Sequence, residues 1–221
     1  MRVLDVLESK GWYFLTRLLA GWPATVEVTI GSLVLALVFG LLIALLRLSP
    51  WRIFRYPAIA YIELLRGTPA LVQLFIIYFG LPDAGIRPTP LQAAIVGLGL
   101  NGAAYLAEIY RAGIEAIHKG QLEAALSLGM TPLKALGYIV LPQAVRTMLP
   151  PITSFAIVLL KDTAVIYAIA VPEIMAYARN LVTETLQSAV VYLMAGAIYL
   201  CMAIPMARFA ARLERGRRAW R

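Results

Sequence analysis

Residues 28–46 read VTIGSLVLALVFGLLIALL and contain no Asp, Glu, Lys or Arg. A helix needs about 20 apolar residues to cross the hydrocarbon core of a bilayer. Residues 88–107 and 185–207 are also free of these four residue types. The three runs predict membrane-spanning helices, and with them an all-α membrane protein.

Two further apolar runs carry charges within them. The first has Glu63 and Arg66 near its start, and the second has Lys161 and Asp162 in its middle. Charges at this depth are retained where they line a bundle interior or a wet cavity. We therefore expect residues 1–221 to form a single transmembrane domain of about five spans. The expected spans are about 24–47, 57–81, 89–113, 146–172 and 187–208.

The composition argues against a water-soluble protein. Of the 221 residues, 61% are hydrophobic and 14% are charged, whereas soluble domains have about 25% charged residues. Cys201 is the only cysteine, which excludes a disulfide or a cysteine-based metal site within one chain. Residues 1–21 are amphipathic and lack the apolar core and small-residue cleavage site of a signal peptide.

The distribution of Lys and Arg predicts the topology. Five spans place the termini on opposite sides, and cytoplasmic loops carry the excess of positive residues. One side has Arg47, Arg52, Arg55, Arg111, Lys119, Lys134, Arg146, Arg208, Arg212, Arg215, Arg217, Arg218 and Arg221. The other has Arg2, Lys10, Arg17, Arg87 and Arg179. The N-terminus is therefore expected outside and the C-terminus in the cytoplasm, and the net charge of +8 is attributed to topology and lipid contact, not to nucleic acid.

The segment of about 115–142 is long for a connection between two spans. Residues 119–128 have helical apolar spacing, and Gly129 follows where a left-handed C-terminal cap favours glycine. Thr131 and Pro132 are typical of a helix start, and this second helix is expected to end at Pro142. Two short helices joined by a glycine bend could pack under the membrane domain or dock into a partner.

Several short motifs occur in a recognisable order along the chain. They are LRGTP at 65–69, VQLF at 72–75, AYLAEIYRAGI at 104–114, EAA at 123–125, LG at 128–129, LPQAVR at 141–146 and LKDT at 160–163. Together they resemble the importer-type ABC permeases for polar amino acids, and the run from EAA to LPQAVR resembles the EAA coupling loop of that family. The similarity covers roughly residues 23–210.

The resemblance implies a multi-pass subunit of a bacterial inner membrane that works with several partners. These are a cytoplasmic ABC ATPase dimer, an extracytoplasmic amino-acid-binding protein, a second permease subunit that is the same or a related chain, the amino-acid substrate and membrane lipid. Glu123, Ala124, Ala125 and Gly129 would couple to the ATPase, although Glu123 could also interact with its helix dipole and Gly129 could act only as a cap. The chain has no phosphate-binding G-x-x-x-x-G-K-[ST] loop, so the expectation is a permease without enzymatic activity or cofactor, with ATP bound by the partner.

Asp162 is the leading candidate for substrate binding. Lys161 is adjacent to it and points about 100° away on a helix, so Asp162 needs another partner. That partner is either the α-ammonium group of an amino acid or a Lys or Arg of another span. Donors near Thr68 or Asn101 would then meet the carboxylate. Thr68 could instead re-satisfy a carbonyl freed by Pro69, and Asn101 could form a hydrogen bond between helices.

Glu63 is also a candidate for substrate binding, although its spacing from Arg66 predicts an intrahelical ion pair. Glu108 and Arg111 repeat that spacing. The residues one and two turns before Asp162, namely Phe155, Val158 and Leu159, are apolar, which favours a polar L-amino acid over a basic one. A second acid could still come from Glu63, Glu27 or a partner, and an unpaired Arg66 could favour an acidic side chain.

Two other functions fit the hydropathy. A secondary transporter would be expected to show an internal repeat, and none is detectable in these spans. A membrane assembly or scaffold protein would have no need for a structured cytoplasmic segment of this length.

Overall fold

A computed structural model describes the backbone of residues 3–218 and the side chains of residues 6–212. The elements are α1 Val3–Leu19, α2 Trp22–Leu48, α3 Arg52–Gly67, α4 Ala70–Phe75, α5 Pro90–Glu115, α6 Lys119–Ser127, α7 Pro132–Ala135, α8 Leu141–Asp162, α9 Ile174–Thr185 and α10 Ser188–Arg218. A π-helix (Ile76–Gly80) and a 3-10 turn (Leu81–Ala84) follow α4; a π-helix (Leu136–Val140) joins α7 to α8; a 3-10 helix (Thr163–Ile169) follows α8.

The all-α membrane fold with about five spans is confirmed. Within the described chain, four helical stretches are long and apolar enough to cross a bilayer, and a bent pair of helices supplies a fifth. The last helix continues to Arg218, ten residues beyond the expected end of the fifth span. Of the charges used for the topology, Arg2 and Arg221 and the side chains of Arg215, Arg217 and Arg218 lie outside the described residues.

Small residues hold the central helices together. Ser32, Ala36, Gly40 and Ala44 recur every four residues along α2 and are all buried against α5. A Cβ at Gly40 would come within 2.9 Å of the Leu106 Cβ. Because lipid offers no hydrophobic drive for helix association, close backbone contact of this kind supplies the packing energy in membranes.

The second expected span is not one continuous helix. The axes of α3 and of the segment from Ala70 to Ala84 meet at 104°. The break falls at Thr68, whose backbone is extended (φ −117°, ψ 145°), because the proline ring that follows disfavours the helical conformation there. Pro69 is the N-cap residue of α4, a position whose N–H has no acceptor within the helix, so the N–H that proline lacks is not needed there.

The second helix of the segment of about 115–142 does not end at Pro142. It begins as predicted, with the Thr131 hydroxyl accepting the N–H of Lys134 (3.4 Å). It then passes through the π-helix Leu136–Val140 into α8. The wider turn of the π-helix makes room for the ring of Pro142. It also has a carbonyl that accepts no helical N–H, so the N–H that proline lacks is not needed, and the helix continues through the proline.

A hydrophobic core separate from the contact of α2 with α5 lies between α1, α9 and α10. Phe14 and Leu18 of α1 are fully buried in it. Glu173 at the start of α9 is also fully buried. Its Oε1 accepts the N–H of Ala176 (2.7 Å), and its Oε2 accepts the hydroxyl of Tyr199 on α10 (2.6 Å).

Candidate functional site

A cavity of about 720 Å³ lies where the break between α3 and α4 faces α5 and α8. Thr68, Asn101 and Asp162, three of the four predicted substrate residues, line it, and Glu63 does not. Arg66 also lines it. One carboxylate and one guanidinium thus face a common space that is otherwise mostly apolar.

The helix break is held by amide side chains. The Thr68 hydroxyl donates to the Leu64 carbonyl (2.8 Å), and the Gln73 Nε2 donates to the carbonyls of Leu65 (2.8 Å) and Thr68 (3.1 Å). These bonds satisfy carbonyls at the end of α3 that the break leaves without helical donors. Thr68 therefore has the structural role that the proline kink predicted for it.

Asn101 of α5 joins the same network. Its Nδ2 donates to the Leu65 carbonyl (2.9 Å) and to the Gln73 Oε1 (3.1 Å), so both of its N–H groups are engaged. In this conformation the Thr68 proton and both Asn101 protons already have acceptors, so a substrate carboxylate would have to displace these bonds to bind them. The role of donors near Thr68 and Asn101 in substrate binding stays a prediction.

Arg66 is not paired with Glu63. Neither residue forms an ion pair in the described chain, so the predicted intrahelical pair is wrong. The guanidinium instead lies over the ring of Tyr105, 5.2 Å from its centroid, and Tyr105 stacks on Phe155 with centroids 6.1 Å apart. Arg66 therefore interacts with the aromatic face of Tyr105 and not with the carboxylate of Glu63.

Asp162 is the last residue of α8, and among the described residues it is the only carboxylate that lines the 720 Å³ cavity. It forms no ion pair with any described Lys or Arg. Lys161 lines a different cavity, beside Tyr192 and Tyr199, as the 100° separation predicted. The alternative in which a cation of another span neutralises Asp162 is therefore absent from this conformation.

A second, smaller cavity of about 360 Å³ adjoins the first. Arg66, Gly67 and Tyr105 line both cavities. Glu63 lines only the second, together with Glu108. Glu27 lies exposed on α2 and lines neither.

The predicted pair of Glu108 and Arg111 is confirmed, with 3.0 Å between Arg111 Nη2 and Glu108 Oε2. The structure adds partners that spacing along one helix does not reveal. Arg47 of α2 contacts the other Glu108 oxygen, and Arg111 also pairs with Glu115. Glu108 is thus neutralised from two helices.

The segment of about 115–142 has the predicted glycine bend. Gly129 adopts φ +80°, its N–H bonds to the Leu126 carbonyl (3.0 Å), and the Met130 N–H bonds to the Ala125 carbonyl (3.1 Å). This pair of bonds is the Schellman motif. Glu123 is the fifth residue of α6, and its exposed carboxylate caps no N–H of the helix.

Apolar side chains project from this segment into solvent. Leu128, Leu133 and Tyr138 are 84%, 79% and 74% exposed. Ala125 is buried, while Ala124 is exposed. The segment therefore does not bury these large apolar groups under the membrane domain, which favours the docking alternative.

Another cavity among the described residues is apolar. A groove of about 810 Å³ between α1, α2, α8 and α10 is lined by apolar residues apart from Thr29 and Cys201. Within the described side chains no group of three or more His, Cys, Asp or Glu is placed to hold a metal ion. The 720 Å³ cavity and the smaller cavity beside it are instead lined by both carboxylate and guanidinium groups.

Comparison with known proteins identifies the architecture. Residues 36–219 match the family described as "Binding-protein-dependent transport system inner membrane component". The chain belongs to this family. Membership makes it a multi-pass permease of an inner membrane and decides against the secondary-transporter and scaffold alternatives.

Relatives of this permease align over most of its length. It is 38% identical to the probable amino-acid ABC transporter permease protein YckA of Bacillus subtilis (86% of this chain, 84% of the relative). It is 34% identical to the glutamine transport system permease protein GlnP of Escherichia coli (94% and 95%). A crystal structure of an amino acid ABC transporter with histidines superposes with a TM-score of 0.88 at 33% identity, covering 97% and 98% of the two chains.

Two features of the site were missed by sequence reasoning. Gln73 was noted within a motif, but a glutamine four residues after a proline gives no signal that it will satisfy the carbonyls of a broken helix. The spacing along one helix predicted an ion pair of Arg66 with Glu63. The partner that the structure shows, Tyr105, lies on α5, and spacing along one helix gives no information about it.

Proposed function

We propose that this chain is the permease subunit of an ATP-driven importer for polar amino acids, and that the 720 Å³ cavity binds the amino acid. The single observation that carries the proposal is that one cavity is lined by a carboxylate and a guanidinium, neither of which forms an ion pair with a described residue. Family membership and the amino-acid permeases among the relatives support the same conclusion.

The proposed binding mode follows from charge. The α-ammonium group of the substrate pairs with Asp162, and a substrate carboxylate pairs with Arg66. An isolated charge at membrane depth costs roughly 2.5–3.5 kcal/mol, so both protein groups gain from a zwitterion that neutralises them together. Arg66 replaces Thr68 and Asn101 as the carboxylate partner because its guanidinium is free of a competing anion.

The lining also narrows the substrate class. Asp162 is committed to the α-ammonium group, and Phe155, Val158 and Leu159 of the same helix present apolar surfaces to the cavity. A basic side chain would lack a second acid there. An acidic side chain would likewise lack a second cation, because Arg66 is committed to the α-carboxylate. A neutral polar L-amino acid, or a close derivative, is the substrate we propose.

The partners are those of an ABC importer. A cytoplasmic ATPase dimer contacts the exposed Glu123, Ala124 and Gly129 of the segment of about 115–142, and the buried Ala125 packs the helix that presents them. The ATPase binds and hydrolyses the ATP. An extracytoplasmic binding protein delivers the substrate, and a second permease subunit completes the path. The N-terminus lies outside and the C-terminus lies in the cytoplasm.

The cytoplasmic segment and the cavity share one helix. From Pro132 to Ile169 the chain is helical without a break, and α8 carries both Phe155 and Asp162 into the cavity. The Gln143 side chain of α8 also bonds to Gln121 of α6 (3.3 Å). Movement of the ATPase pair would therefore be transmitted along α8 and would alternate the access of the cavity between the two sides.

Reconstitution tests this proposal. The permease with its ATPase and binding protein, in liposomes, is expected to accumulate a labelled polar amino acid only with ATP. Uptake by the purified chain without any ATPase would contradict the proposal.

The variant Gly129→Val tests coupling. A β-branched residue at φ +80° is strained by roughly 1–2 kcal/mol, which should distort the bend and lower substrate uptake per ATP hydrolysed. The matched control is Gly85→Val, which imposes the same strain at φ +85° in the loop before α5, also in open space. Equal uptake per ATP in the two variants would remove the bend from the coupling mechanism.

A further inference from the structure

The two polar cavities follow one another along α5. Leu98, Asn101 and Tyr105 line the first, and Tyr105 and Glu108 line the second. From Asn101 to Glu108 the helix rises about 10 Å toward the end that leads into the cytoplasmic segment. The second cavity therefore lies between the first cavity and the coupling end of the protein.

Each cavity contains one carboxylate without a cationic partner. In the first it is Asp162. In the second, Glu108 is paired with Arg47 and Arg111, whereas Glu63 forms no ion pair with any described residue. The available acid of the second cavity is therefore Glu63.

Arg66 is common to the two spaces. Its guanidinium is held by the face of Tyr105 alone, and both residues line both cavities. A cation–π contact of this kind is worth about 0.5–2 kcal/mol, less than a charge-assisted hydrogen bond to a carboxylate. A substrate carboxylate can therefore bind Arg66 from either side.

We propose that the second cavity is a release site for the amino acid, at which Glu63 takes the α-ammonium group from Asp162 while Arg66 retains the carboxylate. This inference rests on the proposed function and specifies how the substrate leaves the first cavity. The volume of about 360 Å³ lies within the range of sites for small molecules. The exchange leaves neither charge of the zwitterion without a partner inside the membrane.

Tyr105 forms part of the wall between the two sites. Its ring contacts the guanidinium of Arg66 on α3 and stacks with the ring of Phe155 on α8. Movement of α8 would shift Phe155, and the ring of Tyr105 would lose its support. The passage from the first cavity to the second is thereby linked to the helix that leads to the ATPase.

The test separates binding from transport in the permease–ATPase complex. Equilibrium binding of a labelled polar amino acid is measured on the purified complex without binding protein, and maximal uptake is measured in liposomes with all components and ATP. Glu63→Gln is expected to keep the Kd within about twofold and to lower maximal uptake about tenfold, because the lost charge-assisted bond is worth roughly 1.5 kcal/mol. Unchanged binding also shows that the variant is folded.

Two further variants control the result. Glu63→Asp retains the charge on a shorter side chain and is expected to restore part of the uptake. Glu27→Gln removes an exposed acid of another span that lines neither cavity, and it is expected to match the parent in both measurements.

Uptake by Glu63→Gln equal to the parent overturns the release site and leaves the proposed function in place, provided that Asp162→Asn loses binding. A loss of binding in Glu63→Gln as large as that in Asp162→Asn also overturns it, because Glu63 would then belong to the first site. Parental binding by Asp162→Asn would instead overturn the proposed binding mode itself.

Discussion

Two acids on either side of the 3-10 helix Thr163–Ile169 have opposite surroundings. Glu173 is fully buried, and both of its oxygens accept hydrogen bonds, from Ala176 and Tyr199. Asp162 lines an open cavity and forms no ion pair with a described residue. Both residues are acids close to the ends of apolar helices, so residue type and position alone do not distinguish them.

The difference shows how a membrane protein separates structure from binding. A buried acid whose oxygens are both satisfied fixes the elements around it, here α9 against α10. An acid that keeps its charge without a partner beside a cavity is stabilised when a ligand supplies the missing cation. Glu173 is therefore expected to contribute to stability and Asp162 to transport.

Asp162→Asn should give the largest effect. Loss of the charge-assisted bond to the α-ammonium group is worth up to about 2.7 kcal/mol, or roughly 100-fold in uptake, and it should exceed the effect of Glu63→Gln. Uptake of labelled amino acid in vesicles, at equal expression, measures this loss. Thermal stability should stay at the parental value, and a large drop in melting temperature would place Asp162 with the structural acids.

Glu173→Ala should reverse this pattern. It removes the acceptor of the Ala176 N–H and of the Tyr199 hydroxyl and opens a void, at a cost of roughly 2 kcal/mol in stability, while Tyr199→Phe removes the bond to Glu173 at a cost of about 1 kcal/mol. Melting temperatures of the purified variants measure the order. Glu184→Ala on the same helix is the control, because Glu184 is half exposed and lies 3.9 Å from Arg17. If Glu173→Ala had the melting temperature of the parent, Glu173 would not be a structural acid, and its contrast with Asp162 would be wrong.

The pH dependence should give the smallest effect. Burial raises the pKa of Glu173 above its ordinary value of 4.5, against hydrogen bonds from Tyr199 and the N–H groups of Met175 and Ala176, which lower it. The folded state therefore holds the Glu173 proton more tightly than the unfolded state. The stabilisation that this proton contributes is complete below about pH 4.5 and is lost as the pH rises through the folded pKa. Glu173→Gln should flatten this part of a plot of melting temperature against pH. If the substitution leaves the slope of melting temperature against pH unchanged, a different titrating group causes this pH dependence.

The sequence was sufficient for features that depend on nearby residues or on composition. Apolar runs predicted the spans, the Thr131–Pro132 start and the Gly129 bend were confirmed, and Glu108 does pair with Arg111. The same local reasoning brought Thr68, Asn101 and Asp162 forward as candidates, and the fold places all three around one cavity.

Features that depend on contacts between distant elements could not be predicted in this way. The angle at Thr68–Pro69 depends on Asn101, 33 residues later in the chain, as well as on the proline. Arg66 found a ring on α5 instead of the acid three residues before it. Pro142 was expected to end a helix because the π-helix before it has no clear sequence signal. Burial of Glu173 likewise requires α9 and α10 to be placed side by side.

The most direct test of the central claim is a structure of the assembled permease and ATPase with a bound amino acid. The α-ammonium nitrogen is expected within about 3 Å of an Asp162 carboxylate oxygen, with the carboxylate at a similar distance from the Arg66 guanidinium. An amino acid bound elsewhere, or bound in this cavity with Asp162 paired to a Lys or Arg of the protein, would contradict the account.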